Sequence, residues 1–171
     1  DLYKREDIKL AENQNLIDGT PEFAYHTFGE LRAFTDIDSN TKLGEPLPED
    51  KQRELIHGYM ACVSYVDAQL GKLLEELDRL KLTDNTVIVL WGDHGYHLGD
   101  HTLWNKHSNF EQATRIPFIF SGPGVAKNKK VSNPVELIDL FPTVFERNLI
   151  HTHCPRSSGF QIFLPGYDKV G

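Results

Sequence analysis

Apolar residues follow two successive patterns in the middle of the chain, and each pattern predicts one element. From Ile56 to about residue 81 they recur every three or four residues, which is the spacing of one face of an α-helix. Glu49 and Asp50 favour the start of this helix, because the helix dipole stabilises carboxylates at an amino terminus. Residues 87–91 are then continuously apolar, which predicts a strand buried on both faces of a parallel sheet. This order of helix and strand is typical of an α/β fold.

The segments on either side of this pair carry weaker patterns. Residues 1–20 are polar with scattered Leu and Ile. Residues 21–48 contain four aromatic residues and many turn formers, so we predict an irregular segment that lies over the core, with one short helix near residues 28–34. Residues 110–115 favour a short helical turn, and residues 116–120 predict a second buried strand. Pro117 then belongs near the start of that strand, where no hydrogen bond of the sheet is lost.

The last part of the chain contains one helical pattern and then none. A helix is predicted to start at Asn133-Pro134 and to restart near Pro142. Residues 147–171 show neither helical nor strand periodicity. We therefore predict that residues 147–171 are a tail of uncertain structure.

Composition limits the classes of partner. The chain carries 25 Asp and Glu against 18 Lys and Arg, for a net charge of −7, so nucleic acid is not an expected partner. No apolar run approaches the roughly 18 residues that a membrane span needs. A length of 171 residues suits one domain or part of one. Because the chain starts at Asp1 and its one methionine is Met60, we expect the native protein to begin further upstream.

The loop after the predicted strand holds many of the residues suited to chemistry. Asp93-His94-Gly95 follows Gly92 directly beyond the strand, at the edge where open α/β sheets bind their ligands. On a sharply bent turn, which Gly92 and Gly95 allow, the Asp93 carboxylate and the His94 imidazole can contact one divalent cation. Lys106 can return to the same site as a point charge for phosphate or sulfate. A cation with a lysine suits ester hydrolysis, because both neutralise charge that develops on the oxygens of the reacting group.

Structural roles also stay open for these groups. Asp93 can instead cap a turn, while the His94 ring hydrogen-bonds the backbone. His97, His101 and His107 fit structural or surface positions better than ligand positions. No side chain of the loop stands out as a nucleophile, because nothing in the sequence fixes the geometry of a triad.

Several runs of sequence around this loop follow the pattern of a known family. They are Tyr65-Val66-Asp67-Ala68-Gln69-Leu70-Gly71, Asp84-Asn85-Thr86-Val87-Ile88-Val89, Gly92-Asp93-His94-Gly95, Trp104-Asn105-Lys106-His107-Ser108-Asn109-Phe110, Arg115-Ile116-Pro117-Phe118 and Glu136-Leu137-Ile138-Asp139-Leu140-Phe141-Pro142-Thr143. In these runs the chain resembles the type I sulfatases of the alkaline phosphatase superfamily, and within them it is most similar to the iduronate-2-sulfatase group. The similarity covers roughly residues 1–146, and its motifs are specific when taken together.

The resemblance implies a fold and an activity. The fold is α/β, part of an alkaline-phosphatase-like domain with a mainly parallel central sheet flanked by helices. Residues 1–146 correspond to the carboxyl-terminal part of the sulfatase catalytic domain. The activity is hydrolysis of a sulfuric ester on a sulfated small molecule or a sulfated carbohydrate, in a periplasmic, secreted or lysosomal protein.

The resemblance also implies a set of site residues. In such enzymes the residues matching Asp93 and His94 help to bind one divalent metal, usually calcium, and the residue matching Lys106 contacts the sulfate of the substrate. Calcium prefers oxygen ligands, so we expect Asp93 to be the firmer ligand, while His94 can instead donate a hydrogen bond to the sulfate. Lys106 is thus the predicted catalytic residue, and Tyr96 is expected to line the substrate pocket with it.

The chain departs from the family at the nucleophile. The family uses a formylglycine made from the cysteine of a Cys-x-Pro-x-Arg motif, and no such motif occurs in the 171 residues. Cys154-Pro155-Arg156 does not match it, because its proline and arginine are each one place off and it follows the metal loop. We therefore expect a fragment of a sulfatase that is inactive alone. Two alternatives stay open: a phosphodiesterase or phosphonate hydrolase of the same superfamily, and a non-catalytic module that binds a cation or a carbohydrate.

Overall fold

Helices and short strands alternate along the chain from residue 49 onward. A computed structural model of the protein describes residues 2–25 and 28–147. The α-helices and strands are α1 (Glu49–Arg79), β1 (Ile88–Trp91), β2 (His97–Leu98), β3 (Trp104–Asn105), α2 (Glu111–Thr114), β4 (Phe118–Ser121) and α3 (Leu140–Arg147). Short 3-10 helices span Arg5–Asp7, Glu22–Ala24, Leu31–Ala33, Thr83–Asn85, Asp100–Thr102 and Leu137–Asp139.

The predicted long helix is confirmed as α1, which runs over 31 residues. Glu49 and Asp50 lie in its first turn, and the Gln52 N–H donates to the Pro48 carbonyl at 3.0 Å. Charge and hydrogen bonding therefore favour the same starting point. Beyond the end of the helix, Lys81 adopts a left-handed conformation with a φ of 58°, which turns the chain away from the helix axis.

The apolar face of α1 is covered near its start and uncovered further along. Ile56 is buried, whereas Val63, Val66 and Leu73 are 53%, 61% and 59% exposed. The periodicity thus predicts the helix correctly, but much of the face that it identifies is in contact with solvent. Within the described residues, no helix has the combined length and apolar character needed to cross a membrane.

β1 and β4 pair in a two-stranded sheet, and the Gly92 N–H donates to the Pro117 carbonyl at 3.2 Å. Both predicted strands are confirmed, and Pro117 immediately precedes β4 as expected. The predicted burial of β1 on both faces is wrong, because Leu90 and Trp91 are exposed. Within residues 2–25 and 28–147, β1 has β4 as its one partner strand, so the mainly parallel central sheet flanked by helices stays a prediction.

The sequence patterns do not predict the second pair of strands, β2 and β3. These strands are antiparallel, with His97 opposite Asn105. Their connection folds back through Gly99 at a φ of 106°, His101 at 54° and Thr102 at 61°. A non-glycine residue with positive φ is uncommon, so the residue types of this connection carry no recognisable hairpin signal.

The hydrophobic core lies between the hairpin of β2 and β3, the start of α1 and the irregular amino-terminal segment. Its buried members are Ile8, Tyr25, Phe28, Leu31, Ile37, Leu47, Ile56, Leu103 and Trp104. Most of them precede residue 48, so the segment predicted to cover the core in fact supplies much of it. Phe28 and Leu31 are each 1% exposed, and the short helix predicted near residues 28–34 is present as the 3-10 helix Leu31–Ala33.

The chain divides into two units, Asp1–Phe120 and Ser121–Gly171. In the second unit the helix begins at Leu137, later than the predicted start at Asn133-Pro134. The reason is a capping box, in which the side chains of Glu136 and Asp139 satisfy the free N–H groups of the first turn.

The predicted tail of residues 147–171 lies outside the described residues from residue 148 onward. The boundary predicted at residue 146 therefore stays a prediction. Pro142 falls near the amino terminus of α3, where the absence of its N–H removes no helical hydrogen bond, in agreement with the predicted restart near this residue.

Candidate functional site

The Asp-His-Gly turn leaves β1 and packs against α2. The Gly95 N–H donates to the Ala113 carbonyl at 2.7 Å. A Cβ atom at Gly95 would clash with the Gln112 carbonyl oxygen and would lie 2.8 Å from that of Arg115. Gly95 is therefore required because backbone atoms of another segment approach it closely. Neither Gly92 nor Gly95 has a positive φ, but the backbone bends at the two residues between them, as predicted.

Asp93 and His94 bring side-chain atoms together at the tip of the turn. Asp93 Oδ2 lies 3.6 Å from His94 Nε2, and the Asp93 side chain is 85% exposed. His94 Nδ1 lies 2.8 Å from the Gly95 carbonyl oxygen. A carbonyl oxygen only accepts, so Nδ1 carries the proton and Nε2 of the neutral ring keeps its lone pair.

The backbone roles considered as alternatives for these residues are present as well. Asp93 Oδ1 accepts the His94 N–H at 3.1 Å, and the His94 ring donates to the backbone through Nδ1. These contacts use one oxygen of Asp93 and one nitrogen of His94. Asp93 Oδ2 and His94 Nε2 remain next to each other at the exposed tip of the turn.

This pair of atoms fits a shared divalent cation. Ligand oxygen and nitrogen atoms lie roughly 2.0–2.6 Å from such a cation. Two atoms that are 3.6 Å apart can therefore contact one ion. Residues 2–25 and 28–147 contain no group of three or more His, Cys, Asp or Glu side chains that could hold a metal. Asp93 and His94 thus fit part of a cation site, whose remaining ligands have to come from other groups.

Lys106 follows β3 and contacts a carboxylate that is remote in sequence. Lys106 Nζ donates to Glu30 Oε1 at 2.6 Å, and the two side chains are 30% and 32% exposed. The other oxygen of this carboxylate, Glu30 Oε2, lies 2.9 Å from Nε2 of His107, an exposed residue as predicted. The hydrogen bond from Lys106 lowers the pKa of Glu30, and desolvation by burial opposes this effect. The charges of Lys106, His107 and His94 lower the pKa of Glu30 further.

Asp93 and Lys106 act on the same region of the surface. The hydrogen bond to Glu30 raises the pKa of Lys106, and the charges of Glu30, Tyr96 and Asp93 contribute in the same direction. The Asp93 charge therefore influences Lys106, although charge interactions near a surface weaken with distance and are screened by water.

Tyr96 is held between α1 and β3. The Asn105 side-chain amide donates to the Tyr96 hydroxyl at 2.9 Å, and the Tyr96 and Tyr59 rings pack with centroids 5.1 Å apart. Burial raises the pKa of the Tyr96 hydroxyl, so this group stays protonated at neutral pH. The charges of Glu30 and Lys106 also affect the pKa of Tyr96, so Tyr96 interacts electrostatically with their ion pair. A role of Tyr96 in lining a substrate pocket stays a prediction.

Two other histidines of the loop have structural contacts. His97 is completely buried, and its Nε2 lies 2.7 Å from Ser108 Oγ. His101 donates from Nδ1 to the Asn15 carbonyl at 3.0 Å and thereby ties the hairpin to the amino-terminal segment. Both contacts agree with the structural roles that the sequence favours for these residues.

Glu30 is the site residue that sequence patterns miss. It lies 76 residues before Lys106, in a segment that was expected to be an irregular cover, and no motif marks it. The available signal was indirect: Phe28 and Leu31 are apolar, and their burial is what brings Glu30 to this face of the molecule.

Comparisons with known proteins identify the family. The family model described as Sulfatase matches residues 21–147. Iduronate 2-sulfatase from Homo sapiens is 42% identical over 126 residues, which are 72% of this chain and 23% of the relative. A sulfatase from Formosa agariphila is 45% identical over 94 residues, which are 55% of this chain and 18% of the relative. Choline-sulfatase from Rhizobium meliloti is 35% identical over 96 residues, which are 56% of this chain and 19% of the relative.

The chain spans less than a quarter of the length of these curated relatives, at most 23%. The predicted resemblance of a partial chain to the sulfatases, and to iduronate 2-sulfatase among them, is confirmed. The fold of this family is alkaline-phosphatase-like, in agreement with the α/β class predicted from the sequence. The match includes Glu30, the Asp-His-Gly turn and Lys106. Because the family model covers most of its length, the chain belongs to the sulfatase family.

Proposed function

We propose that this chain is part of a sulfuric ester hydrolase in which Asp93 and His94 bind a divalent metal and Lys106 binds the sulfate group. The observation that carries the proposal is the pairing of Asp93 with His94 on the turn after β1. Asp93 Oδ2 lies 3.6 Å from His94 Nε2, and the Asp93 charge acts on the ammonium group of Lys106. Membership of the sulfatase family supports the assignment of the reaction.

The charges at the site suit hydrolysis of a sulfate ester. Negative charge on the sulfate oxygens and the leaving oxygen increases as the ester bond breaks, and groups fixed in advance next to these oxygens stabilise it. Lys106 supplies a fixed positive charge for this purpose. Asp93 offers the carboxylate oxygens that calcium prefers, so calcium is the expected metal, and when bound it polarises the sulfate as a Lewis acid.

The names of the relatives suggest the class of substrate. Iduronate 2-sulfatase and choline-sulfatase are among them. The proposed substrate is therefore a sulfated carbohydrate or a sulfated small molecule. Tyr96 is the proposed second contact, because its ring and hydroxyl are fixed by Tyr59 and Asn105 within reach of the Lys106 charge.

The proposed nucleophile of the complete enzyme is a formylglycine, and this sequence does not supply it. The 171 residues contain no Cys-x-Pro-x-Arg motif, and Cys62, which is exposed on α1, is followed by neither the proline nor the arginine. We propose that the nucleophile comes from other residues and that the 171-residue chain alone does not turn over sulfate esters.

The test uses the full-length protein that contains this chain, with an aryl sulfate and the matching aryl phosphate as substrates. We expect hydrolysis of the sulfate ester, and we expect Asp93→Asn and Lys106→Met each to lower kcat/KM by about 100-fold or more. The first variant weakens the proposed metal site, and the second removes the positive charge proposed to stabilise the sulfate oxygens. Asp84→Asn and Lys72→Met are the matched controls. They neutralise exposed charges outside the site and should leave kcat/KM unchanged.

Three results would contradict parts of the proposal. Faster hydrolysis of the phosphate ester would favour a phosphodiesterase or phosphonate hydrolase. Full activity of the Lys106→Met variant would remove Lys106 from the site. Turnover of the aryl sulfate by the 171-residue chain, abolished by Asp93→Ala, would show that the nucleophile lies within it.

A further inference from the structure

A carboxylate of the chain itself lies where an external anion would contact Lys106. Glu30 Oε1 accepts a hydrogen bond from Lys106 Nζ at 2.6 Å, while Oε2, a buried atom without a hydrogen-bond partner among the described residues, lies 2.9 Å from His107 Nε2. A sulfate group presents its oxygens to cationic groups in a similar way, because it is also a compact anion with several acceptor atoms. Glu30 and a bound sulfate would therefore require the same donor atom of Lys106.

The position of Glu30 is fixed by the core. Phe28 and Leu31, on either side of Glu30, are each 1% exposed. The Leu31–Ala33 3-10 helix starts directly after Glu30, which acts as its amino-terminal cap residue. The Glu30 backbone is thus anchored on both sides, and its carboxylate reaches Lys106 from a defined place.

The nearest groups to the Glu30 carboxylate come from two consecutive residues. Lys106 and His107 contact it directly, and Lys106 supplies the positive charge. Both members of the pair are about one-third exposed, so water screens the ion pair only in part. An ammonium group that binds one anion is also suited to another anion that replaces it.

We infer that Glu30 is a specificity-determining residue, an internal counter-anion that competes with the sulfate group for Lys106. This inference rests on the proposed role of Lys106 in binding sulfate. It adds that Glu30 competes with sulfate for the Lys106 ammonium group. Free inorganic sulfate, which meets Lys106 without further anchoring, binds weakly because Glu30 repels it and occupies its donor. A sulfate ester that other groups of the site also hold displaces the carboxylate from Lys106.

The experiment measures binding of inorganic sulfate to the 171-residue chain at constant ionic strength, from the NMR shifts of the backbone amides of residues 94–108. We expect Glu30→Gln to lower the apparent Kd for sulfate on the order of tenfold, because a neutral amide removes the repulsion and releases the ammonium group. Asp36→Asn is the matched control. It changes the net charge equally and removes a 2.8 Å ion pair to Lys51, so it should leave the Kd unchanged.

Two further variants separate this inference from the proposed function. Lys106→Met should weaken sulfate binding. In the double variant with Glu30→Gln and Lys106→Met, the increase in sulfate affinity that Glu30→Gln gives alone should be absent. If Lys106→Met weakens binding but Glu30→Gln leaves it unchanged or weaker, the competition is wrong and the role of Lys106 stands. The proposed role of Lys106 is wrong if Lys106→Met has no effect, or if neither the native chain nor Glu30→Gln binds sulfate. In either case the inferred competition by Glu30 is wrong as well.

Circular dichroism shows whether each variant folds. If Glu30→Gln does not fold, Glu30→Asp replaces it, because the shorter side chain withdraws the carboxylate from Lys106 and keeps the net charge. Competition then predicts a gain in sulfate affinity smaller than tenfold but measurable. An unchanged Kd in Glu30→Asp would overturn the inference.

Discussion

At the scale of single residues, the Asp-His-Gly turn depends on how closely two backbones approach at Gly95. Carbonyl oxygens of Gln112 and Arg115 occupy the space that a side chain would need there. The glycine therefore has a packing role, and the neighbouring Asp93 and His94 owe their position to it. A substitution at Gly95 should act on both the stability of the chain and the geometry of the candidate metal ligands.

We expect Gly95→Ala to lower the free energy of unfolding by about 1–3 kcal/mol, because the added methyl group forces the turn away from α2. Gly58→Ala is the control with the opposite sign. Gly58 lies in α1 with no atom within 4 Å of an added Cβ, so alanine should stabilise the helix by about 0.5–1 kcal/mol. Urea unfolding of both variants measures the two changes, and equal changes would contradict the packing role of Gly95.

The ion pair of Glu30 and Lys106 should make stability depend on pH. The pKa of Glu30 is lowered from 4.5, chiefly by the Lys106 hydrogen bond, so its contribution is fully present above pH 4.5 and is lost as the pH falls through the folded-state pKa. The pKa of Lys106 is raised from 10.5, chiefly by the hydrogen bond to Glu30, so its contribution is lost only above pH 10.5. Urea unfolding at pH 7 and at successively lower pH should show the difference between the native chain and Glu30→Gln shrinking below pH 4.5. A constant difference across that range would contradict the pairing.

The candidate residues differ in how far the sequence predicts them. The sequence predicts Asp93, His94 and Lys106 because they lie in a loop after an apolar strand and match the motifs of a family. Glu30 does not, because its contact with Lys106 spans 76 residues and depends on the burial of Phe28 and Leu31, which no local pattern encodes. A short-range pattern can mark groups that share one loop, whereas a contact formed by tertiary packing requires the coordinates.

At the scale of elements, patterns of three and four residues predict α1 to within about two residues of its end, and continuous apolar runs predict β1 and β4. The hairpin of β2 and β3 is missed because its connection uses His101 and Thr102 at positive φ. Its conformation is maintained by contacts from elsewhere. The Gly44 N–H donates to Thr102 Oγ1 at 3.0 Å, and the Asn15 carbonyl accepts from His101.

The Thr102 contact gives a test of that explanation. Thr102→Val keeps the shape of the buried side chain but removes the acceptor of the Gly44 N–H, so the free energy of unfolding should fall by about 1–3 kcal/mol. Thr114→Val is the matched control, because Thr114 is exposed and its hydroxyl bonds its own helix. The control should change the free energy by less than about 0.5 kcal/mol. Similar losses in the two variants would show that the Gly44 contact does not support the hairpin.

At the scale of the whole molecule, the core and the exposed apolar surface lie in different places. The core joins the amino-terminal segment to the hairpin and the start of α1, whereas Val63, Val66 and Leu73 on α1 are more than half exposed. The described part of the chain thus leaves an amphipathic face uncovered. Large exposed apolar patches are typical of surfaces that associate or aggregate.

The isolated chain should therefore bind the dye ANS and self-associate as its concentration rises. Val66→Lys should reduce both effects with a change in unfolding free energy below about 0.5 kcal/mol, because Val66 is 61% exposed. Ile56→Lys lies on the same helix but in the core, and it should unfold the chain. Light scattering and ANS fluorescence provide the measurements. Unaltered association of the Val66→Lys variant would show that this face is not responsible.

The two proposed ligand groups are carried by sheets of unequal burial. Lys106 follows β3, whose residues Trp104 and Asn105 are 2% and 1% exposed, while Asp93 follows β1, which ends in exposed residues. Amide protons of the hairpin should consequently exchange with deuterium far more slowly than those of β1 and β4. Lys106 would then be attached to a rigid hairpin. The turn that carries Asp93 would become rigid only when further protein or the metal ion binds it.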